Sequence, residues 1–158
     1  MTDTESASPQ ANEDGQNQQF VIQRVYLKDL SFETPMGVKA FTKQIQPQVD
    51  QELGTENNKI DEGMYESVLK LTVTAKFEDE TAFLVEVQQA GIFAIKGIEG
   101  SQLSQVLNTV CPQILFPYIR ETIDSTLVKG SFPPVMLPPV NFDALFAQAM
   151  AEQKNKAH

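Results

Sequence analysis

The chain has 158 residues, a formal net charge of −9 and one cysteine. A chain of this length fits a single domain that buries a core without disulfide bonds or metals, and its negative charge argues against nucleic acid as a partner because phosphate would be repelled. With no apolar run long enough to span a bilayer and no basic or apolar segment near residue 1, the sequence predicts a cytoplasmic protein without membrane insertion.

The first 18 residues are polar and rich in Gln, Asn and Ser, with several acidic residues among them. Such a segment cannot bury enough apolar surface to offset the entropy that is lost on ordering. We therefore predict a disordered acidic tail over residues 1–18 and a single folded domain over residues 19–150. The polar residues 151–158 predict a frayed C-terminal tail.

The first structured segment, residues 20–33, has the composition of a β-strand, with apolar side chains on both of its faces. A strand that is apolar on both faces is either central in a sheet or covered by another chain, so we expect self-association into a tetramer. Residues 34–43 contain a proline and a glycine that interrupt the pattern, which predicts a crossing loop. This loop would expose Met36, Val38 and Phe41.

Alternating apolar and polar residues predict two further strands, over residues 44–53 and 65–77. A short acidic turn, residues 78–80, leads from the second of these to a strand over residues 81–97, and the two strands should form a hairpin. Four antiparallel strands follow from this pattern.

The last of these strands has two different faces. Phe83, Val85 and Val87 point to one face, whereas Leu84 and Glu86 point to the other, because side chains alternate along a strand. Leu84 is thus an apolar residue on a mostly polar face. It is either an isolated surface leucine or part of a contact surface.

Apolar residues recur at helical spacing in the C-terminal third of the chain. A first helix is predicted after a possible N-cap at Ser101, and Pro112 should end or kink it. A second, longer helix follows and stops at Lys129 and Gly130.

The sequence after this stop contains four prolines in residues 131–140, interleaved with apolar residues, and such a segment must be extended. A final helix is predicted to begin at Asn141, whose side chain can cap it. The whole pattern predicts an α+β fold in which C-terminal helices back a four-stranded antiparallel sheet.

Catalytic chemistry has few candidates in this sequence. The one histidine is His158, and the one thiol, Cys111, is favoured as a buried structural cysteine over a nucleophile activated at the helix that Pro112 opens. Carboxylates such as Asp61 and Glu62 fall in exposed turns, and no His or Cys cluster has metal-ligand spacing. We therefore predict that the chain is not an enzyme and that it holds no cofactor or metal.

Four segments carry a resemblance to a known family: VYLKDLSFE at residues 25–33, TAFLVEVQQAGIFAIKGIEG at 81–100, CPQILFPYIRE at 111–121 and PPVNFDALF at 138–146. Together they resemble the SecB family of bacterial export chaperones. The match runs in order and at the expected spacing from about residue 20 to about residue 150. Several long motifs in series are far more specific than one short pattern.

The resemblance implies a homotetramer, arranged as a dimer of dimers, and an ATP-independent holdase that binds unfolded preproteins and passes them to the translocase motor SecA. In this family an acidic patch on the sheet contacts the basic zinc-binding tail of the motor, and unfolded chains lie in a long apolar groove. The positions that match the patch are Asp29, Glu33, Leu84 and Glu86. The candidates for the groove are Phe32, Phe41, Tyr118, Phe132 and Leu137.

The sequence departs from the family at two places. Ile45 stands where some members carry an aromatic residue, which could soften one side of the groove, and the first helix lacks a further cysteine that some members have there. Two alternatives stay open at this point. One is a non-catalytic scaffold that binds one folded partner through its acidic sheet face, and the other is a small hydrolase that uses Cys111.

Overall fold

The computed structural model describes residues 17–156, which form a four-stranded antiparallel sheet, one short helix and two long C-terminal helices. The predicted α+β fold is confirmed, whereas most of the predicted disordered tail lies outside the described residues. Within residues 17–156, no helix is long and apolar enough to cross a membrane. The elements are β1 (Gln19–Glu33), α1 (Lys39–Thr42), β2 (Gln48–Asp61), β3 (Met64–Phe77), β4 (Glu80–Lys96), α2 (Gly100–Lys129) and α3 (Phe142–Lys156).

The strands lie in the order β1-β4-β3-β2, so β1 and β2 form the two edges of the sheet. The predicted hairpin joins β3 to β4 through Glu78, which has a positive φ of 56°. Strand β2 reaches Asp61, although the alternation of side chains predicts an end at Leu53. The additional residues pair with β3, in register as far as Lys59, because the pairing uses backbone groups and does not require apolar side chains.

One face of the sheet carries the core, and α2 packs against it. On β4, Phe83, Val85 and Val87 are buried on this helix-side face, as the alternation predicts. Each large apolar side chain that is fully buried contributes about 1.5–3 kcal/mol to the free energy of folding. The stripe that α2 presents to the sheet consists of Cys111, Leu115, Ile119, Ile123 and Leu127, all fully buried.

Helix α2 is continuous through Pro112 and Pro117, so the prediction of two helices separated at Pro112 is wrong. The helix begins after Glu99, not after Ser101. A proline within a helix removes a backbone hydrogen bond and crowds the preceding turn. Burial of Cys111, Leu115 and the rest of the stripe on both sides of the prolines offsets this cost.

The segments that connect the long elements agree in part with the sequence. Met36 is buried, so the prediction that the crossing loop exposes it is wrong, whereas Val38 and Phe41 are exposed as predicted. Residues 131–140 form neither helix nor strand. The Oδ1 atom of Asn141 accepts a hydrogen bond from the Ala144 amide at 3.0 Å, which confirms the predicted cap. Helix α3 continues to Lys156, beyond the point at which fraying is predicted.

Candidate functional site

The four residues predicted to contact a basic partner lie on one face of the sheet, opposite the core. Glu33 of β1 pairs with Leu84 of β4, and Ser31 pairs with Glu86. Residues that pair across antiparallel strands point to the same face, and Asp29 follows at the same spacing on β1. Asp29, Glu33 and Glu86 are exposed, and Leu84 is half-buried between its neighbours.

The acidic surface extends further across the sheet than the four predicted residues. On β3, Thr72 pairs with Glu86, and the next partner across the sheet, on β2, is Glu52. Asp50 is placed in the same way, because Thr74 of β3 pairs with Leu84 on one side and with Asp50 of β2 on the other. The sequence places Asp50 and Glu52 on one face of a strand, but only the register shows that this face is shared with Glu86. We refer to Asp29, Glu33, Asp50, Glu52 and Glu86 as the acidic face.

A hydrogen-bonded cluster joins β1 to β3 across β4 on the same side of the sheet. The Tyr26 hydroxyl donates to one oxygen of Glu66, and the ammonium of Lys28 donates to the other oxygen at 2.9 Å. These contacts lower the pKa of Glu66, chiefly through the Tyr26 hydrogen bond, and the same bond raises the pKa of Tyr26 to about 12. Both shifts favour the pair in which Tyr26 keeps its proton and Glu66 is ionised.

An apolar pocket of about 690 Å³ opens between the segment that follows β1 and the proline-rich residues after α2. Phe132 lines it and contacts three other aromatic rings. The centroid of its ring is 4.9 Å from that of Phe83 and 5.3 Å from that of Phe41, and the ring of Phe32 meets it edge-on at 6.5 Å. Such tilted and edge-on contacts are the favourable arrangements of aromatic rings. The other apolar side chains of the lining are Ala40, Ile45, Pro47, Val49, Pro133, Pro134 and Val135.

The pocket combines a buried floor with an accessible rim. Phe132 is only 9% exposed and Phe83 is buried, whereas Phe41 is 52% exposed. Phe132 is placed by the end of α2, where its amide donates to the Leu127 carbonyl at 2.9 Å. An exposed aromatic ring beside a concave apolar surface is suited to bury a further apolar group.

Tyr118 and Leu137 are placed differently from the other predicted groove residues. Tyr118 is exposed and lines a second pocket of about 390 Å³, which lies between β1 and α2 and includes Val25 and Leu27. Leu137 is 2% exposed and packs in the core. It therefore anchors the adjacent proline-rich residues to the core. Of the predicted groove residues, Phe41 and Phe132 therefore line the larger pocket, and Phe32 packs against Phe132 without lining it. Tyr118 is separate from this pocket.

Sequence reasoning does not identify Phe83 as part of this site. The alternation of β4 predicts that Phe83 is a core residue, and the residue is buried in the core. Its ring also lines the floor of the pocket, where it contacts the ring of Phe132. Ile45, noted as a departure from the family pattern, lines the pocket as well. The departure of Ile45 from the family pattern is the signal in the sequence that points to this residue.

Cys111 lies in the interior of α2 and has no exposed surface. Burial raises the pKa of its thiol to about 12, because the charged thiolate would lose its hydration. At neutral pH the thiol therefore keeps its proton and is not a nucleophile. This environment is that of a structural cysteine.

An α+β fold with a pocket lined by aromatic rings on one side and an acidic sheet face on the other gives this protein two surfaces suited to contacts with other proteins. The family model described as preprotein translocase subunit SecB matches residues 13–153. The chain is also 60% identical over 139 residues to the protein-export protein SecB of Cellvibrio japonicus, covering 88% of this chain and 83% of that protein. The chain belongs to the SecB family.

A second relative agrees with this assignment, and a solved structure shares the fold. The protein-export protein SecB of Saccharophagus degradans is 62% identical over 136 residues, which cover 85% of this chain and 81% of that protein. A SecB-like chaperone of Mycobacterium tuberculosis, solved in complex with a ChAD peptide from an antitoxin, has the same fold. Its TM-score is 0.61 at 16% identity, over 77% of this chain and 87% of that one.

Membership of the family confirms the resemblance seen in the sequence and the role in protein export that it implies. SecB proteins are chaperones without enzymatic activity, so the prediction that the chain is not an enzyme is confirmed as well. The scaffold and hydrolase alternatives are not favoured.

Proposed function

We propose that this protein is a cytoplasmic, ATP-independent holdase that binds unfolded preproteins in the pocket around Phe132 and delivers them to SecA. The observation that supports it most is the exposed ring of Phe41 beside the buried Phe132, on the rim of an apolar pocket of about 690 Å³. Burial of apolar surface is non-directional, at about 25 cal/mol per Å², so such a pocket holds many sequences.

The acidic face is the proposed contact for SecA. Asp29, Glu33 and Glu86 are exposed and share one side of the sheet, while the pocket opens elsewhere, beside the end of α2. A basic partner would be attracted to this face over a distance of roughly 10 Å at moderate salt. Two separate surfaces would allow SecA to bind while a client is still held.

A homotetramer arranged as a dimer of dimers is the proposed assembly. Strand β1 is an edge strand, and Ile22, Leu27 and Leu30 are exposed on it although they pair with β4. Long apolar edge strands are rarely left open to solvent, because they template pairing with another chain. Helix α2 likewise exposes Val110 and Val128 away from its buried stripe. A copy of the same chain could cover both surfaces.

A refolding assay without nucleotide tests the holdase. We expect the purified protein to slow the refolding and aggregation of several unrelated unfolded precursors. Native forms of the same precursors should not bind. Binding to a single folded partner, with no effect on any unfolded precursor, would contradict the proposal and favour a scaffold.

A further inference from the structure

The wall of the pocket beside Phe132 is built from chain that has no regular secondary structure. Residues 131–140, here called the connector, join α2 to α3, and residues 131–135 line the pocket. Four of the ten connector residues are prolines, which have no N–H group to donate. The backbone of the connector must therefore be held by its few remaining amides and by its side chains.

Two of these amides are bound by the end of α2 itself. The Ser131 amide donates to the Val128 carbonyl at 3.0 Å, and the Phe132 amide donates to the Leu127 carbonyl at 2.9 Å. These bonds fix the start of the connector. They do not reach Pro133, Pro134 or Val135, which form the outer part of the wall.

The outer part is held by one side chain of α2, Asp124. Its Oδ1 atom accepts hydrogen bonds from the amide of Val135 at 3.1 Å and from the amide of Met136 at 3.2 Å. Bonds to an ionised carboxylate are roughly twice as strong as those between neutral groups. A single carboxylate oxygen thus anchors two successive residues at the far end of the wall.

The backbone at Met136 shows why this anchor matters. Met136 has a φ of 54°, in the left-handed region that residues other than glycine rarely adopt. Its side chain is 74% exposed, so packing of that side chain does not impose the conformation. A strained residue persists only where its surroundings determine it. Here the surroundings are the Asp124 carboxylate on the Met136 amide and the buried side chain of Leu137 on the other side.

We propose that Asp124 is a positioning residue for client binding: its carboxylate holds the connector in the conformation that shapes the pocket wall before an apolar segment of an unfolded chain arrives. This inference rests on the proposed holdase function. A wall that is already ordered loses less conformational entropy when the client binds, so the anchor should increase affinity although Asp124 does not line the pocket.

The test compares Asp124→Ala and Asp124→Asn with a matched control, Glu152→Ala, which removes the same charge from an exposed position of α3. Two quantities are measured, the hydrogen exchange rates of the Val135 and Met136 amides and the Kd for an unfolded precursor. We expect Asp124→Ala to raise both exchange rates and the Kd by roughly tenfold, which is the effect of losing a bond to a charged group. Asp124→Asn keeps an acceptor oxygen and should show a smaller change in the same direction, and the control should show none.

Each outcome decides the proposal. Unchanged exchange at Val135 and Met136 would show that Asp124 does not hold the connector. Faster exchange with an unchanged Kd would refute the role in client binding, while the holdase function would stand. If the wild-type protein held no client, the holdase function would fail and the client role with it, whatever the exchange rates. Should Asp124→Ala not fold, Asp124→Asn alone must show faster exchange at these two amides, or the proposal is wrong.

Discussion

The ring of Phe32 occupies the space that a side chain at Gly130 would need. A Cβ atom at Gly130 would lie 2.5 Å from the Cζ atom of Phe32, far inside the van der Waals distance. Gly130 therefore does more than end α2, because its missing side chain lets the end of β1 approach the helix at the point where the connector begins. The same ring of Phe32 packs edge-on against Phe132, which lines the pocket.

A larger residue at this position should destabilise the protein. Gly130→Ala must displace Phe32, and overpacking of this kind costs about 1–3 kcal/mol in the free energy of unfolding. Chemical denaturation measures this difference. The control is Gly54→Ala on β2, where a Cβ would meet no atom within 4 Å. Equal losses in the two variants would mean that the contact with Phe32 is not tight.

Phe41 should contribute directly to client affinity. We expect Phe41→Asp to raise the Kd for unfolded precursors about five- to tenfold, because the exposed ring can no longer bury apolar surface of the client. The fold should persist, since half of this side chain is already in water. Val38→Asp is the matched control, because Val38 is exposed three residues earlier in the same segment.

Replacing Tyr118 tests whether clients also contact the second pocket. Tyr118→Asp alters the second pocket, between β1 and α2. An effect as large as that of Phe41→Asp would extend the client site to this pocket. If neither Phe41→Asp nor Tyr118→Asp changed the Kd, clients would have to bind elsewhere.

The acidic face should bind SecA independently of clients. Glu86→Lys is expected to weaken SecA binding by about 0.4–2 kcal/mol, because charge reversal loses one exposed ion pair of about 0.2–1 kcal/mol and adds a repulsion of similar size. The difference from wild type should shrink as salt is raised. Binding assays with SecA and with a precursor across a salt series measure both effects.

The control for this variant is Glu62→Lys, which changes the same charge at the turn between β2 and β3, whereas Glu86 pairs with Thr72 in the interior of β3. It should leave SecA binding near the wild-type value. An equal loss of SecA and client binding in Glu86→Lys would contradict the existence of two separate surfaces.

The Tyr26–Glu66 pair predicts how stability changes with pH. The pKa of Glu66 is lowered in the folded protein, so its contribution is complete above the ordinary value of 4.5 and is lost as the pH falls through the lowered pKa. The pKa of Tyr26 is raised from 10.0 to about 12, so its contribution is present below pH 10 and is lost as the pH rises toward 12.

Denaturation measured from acid to alkaline pH tests both statements. Glu66→Gln should flatten the acid decrease in the free energy of unfolding, and Tyr26→Phe should flatten the alkaline decrease, at a cost of roughly 1 kcal/mol near pH 7. Curves parallel to that of the wild type at both extremes would show that this hydrogen bond does not couple the two groups.

Cys111 should be unreactive in the folded state. Its thiol is buried and its pKa is raised to about 12. At pH 8 an alkylating reagent should therefore react with this thiol only after the protein unfolds. We expect rapid labelling in denaturant and very slow labelling without it. Cys111→Ala should leave the holding of clients unchanged. Fast labelling of the folded protein would place the thiol in an accessible environment.

Local patterns in the sequence determined that four strands form, which face of β4 each residue from Phe83 to Val87 lies on, and the cap of α3. Alternation of Leu84, Val85 and Glu86 is sufficient to separate the core face from the acidic face on β4, because successive side chains point to opposite faces where a strand has no bulge. On β1, two shifts in the register interrupt this alternation. The Asn141 cap is also visible in the sequence, since its hydrogen bond closes over three residues. The sequence also predicts that Phe41 is exposed, and the structure agrees.

Only the tertiary structure decided which of these residues meet. Helix α2 continues through Pro112 because its buried stripe packs on the sheet, and Leu137 is buried because the connector folds back over the core. The register that carries the acidic face onto β2, and the bonds from Asp124 to Val135 and Met136, join residues that are distant along the chain. Such contacts depend on the packing of whole elements against one another, and the local periodicity of a sequence does not encode that packing.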